Sequence, residues 1–453
     1  MTLALAVLLA ACGGGGGGDS SGGSNTPVPT PAPQVSPPNV SALVTGQTSD
    51  GLVLQVNGAN DLAVSKNGVA TFSAAVPAGA FTVSIKQQPA QQTCQVINPA
   101  GTAGATPVSV AVHCLNNNLA RFALLLDDSN GYSYPVDPVS GQLVAAQGKP
   151  FASDSSTVWD ADPQARFIFS FDQTLAQIYT AAVDAHTGLP GPINKLKLPG
   201  TPVSTAAGVT GEYLYVGMTT QATGALVSYR VDSTTGQLTQ VGVVAMPDGP
   251  SPLAVDPAGR FIYTTRSDFK TGCIIETWKV MADGSLTLAN TFKESPDRDS
   301  VAILTPDPTG RFIYSLKFTQ VGNGIITQGY MVDNAGVLTR IAGSITQTGS
   351  TGVPPTIDPT GHYLITGSVT APAFTAHTID QTTGVLTERA SLPAPYDSPL
   401  GRAFDPSGRA AFAGGTNGVM YWLLNDVSNT SLSQGIALLP TPQSPFYKIL
   451  LVP

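Results

Sequence analysis

Residues 250–296 read PSPLAVDPAGRFIYTTRSDFKTGCIIETWKVMADGSLTLANTFKESP. Four apolar runs stand in this stretch: LAV, RFIYTT, CIIETWKV and LTLANTF. All are rich in β-branched or aromatic residues and short enough to be strands. Asp256-Pro257-Ala258-Gly259 joins the first two and fits a type I turn. Its Asp caps the local backbone, its Pro presets φ, and its Gly closes the turn. Asp283-Gly284 joins the third and fourth runs as a tight hairpin. The stretch is therefore expected to be one four-stranded antiparallel sheet, which cannot bury both of its faces alone.

The rest of the chain repeats it. The hairpin recurs at Gly141-Gln142-Leu143, Gly188-Leu189, Gly236-Gln237-Leu238, Gly284-Ser285-Leu286, Gly336-Val337-Leu338 and Gly384-Val385-Leu386, with a degenerate copy ending at Leu432. The seven leucines are spaced 46, 49, 48, 52, 48 and 46 residues apart. A period of this size with four strands per unit predicts an all-β chain built around a β-propeller of seven blades. The first turn recurs at Asp162-Pro163, Asp307-Pro308, Asp358-Pro359 and Asp405-Pro406, and more weakly at Thr210-Gly211-Glu212. Residues 120–147 supply only three strands (ARFALLLDD, GYSYPV, GQLVAA). The run PFYKILLV at 445–452 is left over. If it completes the first unit beside Phe122–Leu126, the two chain ends close the ring and no sheet edge stays open.

These motifs resemble those of the lactonase-like seven-bladed propellers, the class of 6-phosphogluconolactonase and carboxymuconate cyclase. The matching residues are DPAGRFIY, DPTGRFIY and DPTGHYLI, with DSTTGQL and DQTTGVL. The resemblance spans about residues 119–453. It implies the fold more than an activity, because the shared residues are turn chemistry. Lactonase-like enzymes commonly begin the innermost strand with P-R-H and end the second strand with N-E. This chain has Ser251-Pro252-Leu253-Ala254 and Ser398-Pro399-Leu400-Gly401 at the first position, and Thr264-Thr265-Arg266 and Ser315-Leu316-Lys317 at the second. No catalytic residue carries over.

Before the propeller come three other segments. Residues 1–12 resemble a bacterial lipoprotein signal, with an apolar run from Leu3 to Ala11 and a lipobox Leu9-Ala10-Ala11-Cys12. No Lys or Arg precedes the run, a departure from that pattern. The run is too short to span a bilayer, which takes about 20 residues. The resemblance implies cleavage before Cys12, acylation of Cys12, and a lipid-anchored place in the bacterial cell envelope. Gly13 after Cys12 resembles outer-membrane sorting, with a periplasmic or surface-facing propeller. Residues 13–40 are a Gly/Ser/Pro-rich tether, flexible and then stiffer. Residues 41–118 read as a small β-sandwich module of immunoglobulin-like look, with the runs GLVLQV, ATFSAAV, FTVSIKQ, TCQVI and VSVAVHC. Cys94 and Cys114 fall on two late strands and are expected to pair outside the cytoplasm. Cys273, inside an apolar strand, reads as a buried inert thiol.

Composition narrows the function. Gly and Pro number 48 and 37, as a turn-rich β protein needs, and only 11% of residues are charged. A net charge of −8 argues against nucleic acid as a partner. The sequence offers no cofactor fingerprint, no zinc spacing, no calcium loop and no G-x-S-x-G elbow, so no cofactor or metal is expected. The four histidines, His113, His186, His362 and His377, fall in different elements and read as structural.

Propellers bind ligands at the channel mouth, lined by the loops after each second strand and the loops between blades. The first set carries Asp127, Asp128, Asp172, Arg266, Asp268 and Lys317. The second carries Asp154, Asp248, Glu294, Asp297, Arg298, Asp299, Tyr396 and Asp397. From these, Arg266, Lys317, Asp172, Asp127, Asp299 and Asp397 are the ligand-binding candidates. Arg266 and Lys317, from adjacent blades, form a candidate anion pair. The expected function is that of an anchored binding or scaffold module for a protein or small-molecule ligand. The alternative is a lactone hydrolase with a diverged site.

Overall fold

The computed structural model describes residues 39–126, 130–144, 147–152, 158–220, 223–247, 249–250, 252–268, 272–294, 300–318, 325–347, 352–368, 373–393, 401–415, 418–423, 433–437 and 448–453. Its elements are all strands. Seven four-stranded antiparallel sheets form the blades of the propeller, and two further sheets precede them.

Blade 4 is the sheet anticipated from residues 250–296. Its strands are Leu253–Val255, Phe261–Asp268, Gly272–Val280 and Leu286–Lys293. The turn after the first strand closes with Gly259 N donating to Asp256 O at 2.7 Å, and Gly259 takes φ 72°. The same bond recurs in blades 5, 6 and 7, from Gly310 to Asp307, Gly361 to Asp358 and Gly408 to Asp405.

Blade 1 is closed by the chain's last strand. Lys448–Val452 pairs antiparallel with Phe122–Leu126, from Lys448 opposite Leu126 to Val452 opposite Phe122. The tail strand is innermost, followed by Phe122–Leu126, Asn130–Pro135 and Gln147–Ala152. The outer strand thus differs from the one expected at 141–146. Leu143 bridges Val136, Val144 N donates to Pro135 O at 2.9 Å, and the described outer strand begins at Gln147.

The two recurring motifs meet between blades. In blades 2 to 6 the hairpin glycine lies on the aromatic residue that begins the second strand of the blade before it. A Cβ on Gly284 would stand 2.2 Å from Tyr213, one on Gly336 3.0 Å from Phe261, and one on Gly384 2.7 Å from Phe312. These glycines also hold φ between 70° and 83°, so both the backbone and the contact exclude a larger residue. The blades then share apolar cores, such as Tyr263, Cys273 and Ile275 of blade 4 with Val301, Ile313 and Tyr330 of blade 5.

The preceding module has eight strands: β1 (Val40–Thr45), β2 (Leu52–Val56), β3 (Ala59–Val64), β4 (Gly68–Thr71), β5 (Gly79–Gln87), β6 (Gln92–Ile97), β7 (Ala100–Ala103) and β8 (Val108–Asn116). They form two sheets, β4-β1-β8-β6 and β3-β2-β5-β7, around one core that includes Val44, Leu54, Phe81 and Val112. β1 and β8 run parallel. Cys94 and Cys114 stand opposite each other on β6 and β8 and form a disulfide. Cys273 is buried, and burial raises its thiol pKa above the usual range.

This sandwich rests on the turn end of the propeller. Thr45 Oγ1 and His113 Nδ1 are 2.7 Å apart, and His113 Nε2 lies 2.5 Å from Pro359 O in the blade 6 turn. The carbonyl can only accept, so Nε2 carries the proton and Nδ1 accepts from Thr45. Burial holds this imidazole at about 4, well below its usual value, and the charges of Arg311 and His362 act in the same direction. Asn116 N donates to Pro406 O in the blade 7 turn at 3.4 Å. Leu43 and Thr45 lie against Gly310 of blade 5.

Candidate functional site

The mouth lies at the opposite end, where second strands finish and one blade leads into the next. Blade 5 comprises Ser300–Pro306, Phe312–Phe318, Ile325–Val332 and Leu338–Gln347. Lys317 is near the end of its second strand, and its neighbours on alternate positions, Ser315 and Ile313, turn the same way. Ile313 belongs to the core shared with blade 4, so Lys317 points toward blade 4.

There Lys317 meets Glu294, which follows the last strand of blade 4. Lys317 Nζ lies 3.0 Å from Glu294 Oε2, and Arg340 Nη2 lies 2.8 Å from the same oxygen. The Tyr330 hydroxyl donates to Glu294 Oε1. The Glu294 side chain is fully buried, whereas that of Arg340 is 44% exposed. Burial alone would raise the Glu294 carboxyl, but the donors Tyr330 and Lys317, with the charges of Lys317 and Arg340, outweigh it and hold the carboxyl below its usual range. Burial and the neighbouring carboxylate raise the Tyr330 phenol. Phe292 packs edge-on to Tyr330 at 5.5 Å. The cluster pins the connection between blades 4 and 5 by one carboxylate and three donors.

Arg266 makes a separate pair, with Nε 2.8 Å from Glu276 Oε1 in the next strand of its own blade. Arg266 shares its face with Ile262, Glu276 and Trp278, and Ile262 and Trp278 pack with blade 3 residues Tyr213 and Leu226. Arg266 and Lys317 each stand five residues after the aromatic that opens their strand. Equivalent positions face the same way around the ring, so the sheet of blade 4 separates the two side chains. The structure does not bring this pair together, and the repeat in the sequence already carried that signal.

Asp172, at the end of the second strand of blade 2, is buried and accepts a hydrogen bond from Leu175 N at 2.8 Å. It shapes its own turn. Asp268 lies on the second strand of blade 4. Asp127, Asp128, Asp154, Asp248, Asp297, Arg298, Asp299, Tyr396 and Asp397 lie outside the described residues, as does Cys12.

Sequence reasoning missed Tyr330 and Arg340, whose role depends on Glu294 of the preceding blade reaching them. It also missed side chains along the channel wall. The innermost strand of each blade is the edge of its sheet, and in the following cases a side chain of an adjacent blade reaches it. Asp160 Oδ2 accepts from Ala207 N at 2.9 Å, between blades 2 and 3. Burial raises the Asp160 carboxyl, against the pull of Lys448 on the inner strand of blade 1. Arg402 Nη2 donates to Pro354 O at 2.5 Å, and Thr305 Oγ1 to Pro355 O at 3.1 Å. Among the described residues no group of three or more His, Cys, Asp or Glu could hold a metal ion. Among the same residues no helix is long and apolar enough to cross a membrane.

Ring and turns together define a seven-bladed β-propeller. The family described as Lactonase, 7-bladed beta-propeller, matches residues 213–412, from the second strand of blade 3 into that of blade 7. Among solved structures, the chain is similar to a candidate 6-phosphogluconolactonase from Bacteroides fragilis. Identity is 15%, the match covers 74% of this chain and 98% of that one, and the TM-score is 0.58. A candidate 6-phosphogluconolactonase from Bacteroides uniformis gives 16%, 73%, 99% and 0.58 for the same quantities. A protein from Lactobacillus plantarum gives 13%, 73%, 99% and 0.53. At these identities the likeness is one of fold. No curated protein matches the chain.

Proposed function

We propose that the protein is a lipid-anchored, extracytoplasmic lipoprotein whose propeller serves as a binding or scaffold module. The observation that supports this reading most is the use made of the charges at the mouth. Lys317, Arg340 and Arg266 are held by Glu294 and Glu276 in ion pairs that tie blade to loop and strand to strand. General acid–base hydrolysis needs a positioned group within reach of a substrate proton. Paired and largely buried charges serve rigidity instead. The lipobox ending in Cys12 and the tether after it supply the anchor in this reading. Radiolabelled fatty acid should be incorporated into the wild-type chain and not into Cys12→Ala, which should shift to the soluble fraction. Affinity capture that enriches nothing, together with no thermal shift across a ligand panel, would count against the binding role.

The match to the lactonase family over residues 213–412 favours a second reading, a lactone hydrolase with a diverged site. Purified protein assayed on sugar and carboxylic lactones decides between the two. Hydrolysis that is lost in Lys317→Ala and Arg266→Ala would favour the enzyme, and no hydrolysis on any lactone would remove it.

A further inference from the structure

The path of the chain through the sandwich has a consequence for how the mouth is displayed. β1 and β8 run side by side in register from Val40 opposite Val108 to Thr45 opposite His113. Their final residues touch the propeller, Thr45 at Gly310 of blade 5, His113 at the blade 6 turn and Asn116 at the blade 7 turn, and Leu43 in mid-strand and Asn98 after β6 reach blades 5 and 6 as well. Their first residues lie at the other pole. Asn39 Nδ2 donates to Val76 O at 2.9 Å and to Gly104 O at 3.1 Å, and Asn39 O accepts from Val108 N. The six residues of strand run roughly 20 Å from this pole to the contacts at Thr45 and His113. From the turn end, the seven residues Phe312–Phe318 run to the mouth, about 20 Å further through the ring.

We infer that the protein presents the mouth of its channel away from the surface to which its N-terminal segment is tied. The mouth is then offered to molecules dissolved in the surrounding compartment, and the lipid faces the far pole of the sandwich. This inference rests on the anchored-lipoprotein reading above. The sandwich acts as a fixed spacer, because His113, Asn116, Leu43 and Thr45 bind it to the turns of blades 5, 6 and 7.

Energy transfer to lipid tests this on the full acylated chain. A donor dye is placed at Thr106→Cys, exposed beside the Asn39 pole, or at Gln173→Cys, exposed at the mouth end of blade 2. Cys273 is buried and Cys94–Cys114 is closed, so labelling is selective. The protein is reconstituted into phosphatidylethanolamine–phosphatidylglycerol vesicles carrying an acceptor on the headgroups. Transfer from position 106 should exceed that from position 173 at least twofold. Equal transfer, or more from 173, overturns the inference. If Gln173→Cys lowers the thermal transition, Thr220→Cys in the corresponding turn of blade 3 replaces it. Failure of the acylated chain to bind vesicles overturns only the anchor. The same two dyes on a Cys12→Ala chain held by an N-terminal oligohistidine on nickel-chelating lipid then report the orientation on their own, by the same twofold criterion.

Discussion

Blades 4 and 5 both carry Asp-Pro-x-Gly-Arg-Phe-Ile-Tyr at the turn after the first strand, yet the same acid and base end in different company. In blade 4, Arg260 grips Asp256 with two nitrogens, Nε to Oδ2 at 2.8 Å and Nη2 to Oδ1 at 2.9 Å. Both side chains are buried. In blade 5, Arg311 turns away from Asp307. Its Nε donates to Thr309 Oγ1 at 2.9 Å and its Nη2 to Gln381 Oε1 at 2.9 Å. The Thr309 hydroxyl takes up Asp307 Oδ2, and Asp307 Oδ1 is buried with no hydrogen-bond partner among the described residues. Burial therefore pushes the Asp307 carboxyl up to about 6, despite the hydroxyl and the nearby guanidinium. One residue differs inside the motif, Ala258 against Thr309, and one neighbour differs outside it, Gln381 of blade 6. A shared turn motif fixes backbone path; the surrounding side chains decide which charges pair.

Removing the acid should separate the two blades most. Asp256→Ala leaves Arg260 buried without its carboxylate and should cost about 3–5 kcal/mol in denaturant unfolding. Asp307→Ala leaves Arg311 its Thr309 and Gln381 partners and should cost about 1 kcal/mol. Equal losses would erase the distinction. Double-mutant cycles should next give a coupling energy several-fold larger for Asp256 with Arg260 than for Asp307 with Arg311.

The pH dependence gives a smaller effect with a definite sign. The folded Asp307 carboxyl titrates near 6 against an ordinary 3.8, so the folded state holds the proton more tightly. Its contribution is complete below about pH 4 and is lost as pH rises through 6. Asp307→Asn should flatten the thermal-stability profile between pH 4 and 6 and match or exceed wild type above pH 6. The histidine at the sandwich contact works in the other direction. His113 falls from 6.5 to about 4 on folding, so its stabilisation is present above 6.5 and fades as pH drops toward 4. The smallest change is Thr309→Ala, which frees Arg311 Nε to turn to Asp307. A carboxyl-carbon NMR titration should then show the Asp307 midpoint move below 6; an unmoved midpoint would assign the raised value to burial alone.

Much of the ring was legible in the chain because its rules are local. Asp256 through Gly259 fold the same turn wherever they stand, and Asp-Gly makes the same hairpin. The leftover run ending in Val452 had one open sheet edge to fill, and it fills it beside Phe122–Leu126. The sandwich was less legible. β3 and β7 are short or weakly apolar, and the parallel pairing of β1 with β8 joins residues 68 positions apart, such as Val44 and Val112. At the mouth, listing charges by loop found Lys317 and Glu294 but matched Lys317 with Arg266 instead of with the carboxylate beneath it.

The sequence by itself determined the number of blades, the turns that repeat in them, and the tail strand that seals the first, because each follows from spacing and backbone chemistry within a few residues. Only the tertiary structure decided that Glu294 gathers Lys317, Arg340 and Tyr330, that Asp307 lacks the grip Asp256 has, and that the sandwich sits on the turn end. Those outcomes depend on which side chains from distant parts of the chain arrive within about 3 Å of one another, where burial makes an unmatched charge costly and so selects its partner.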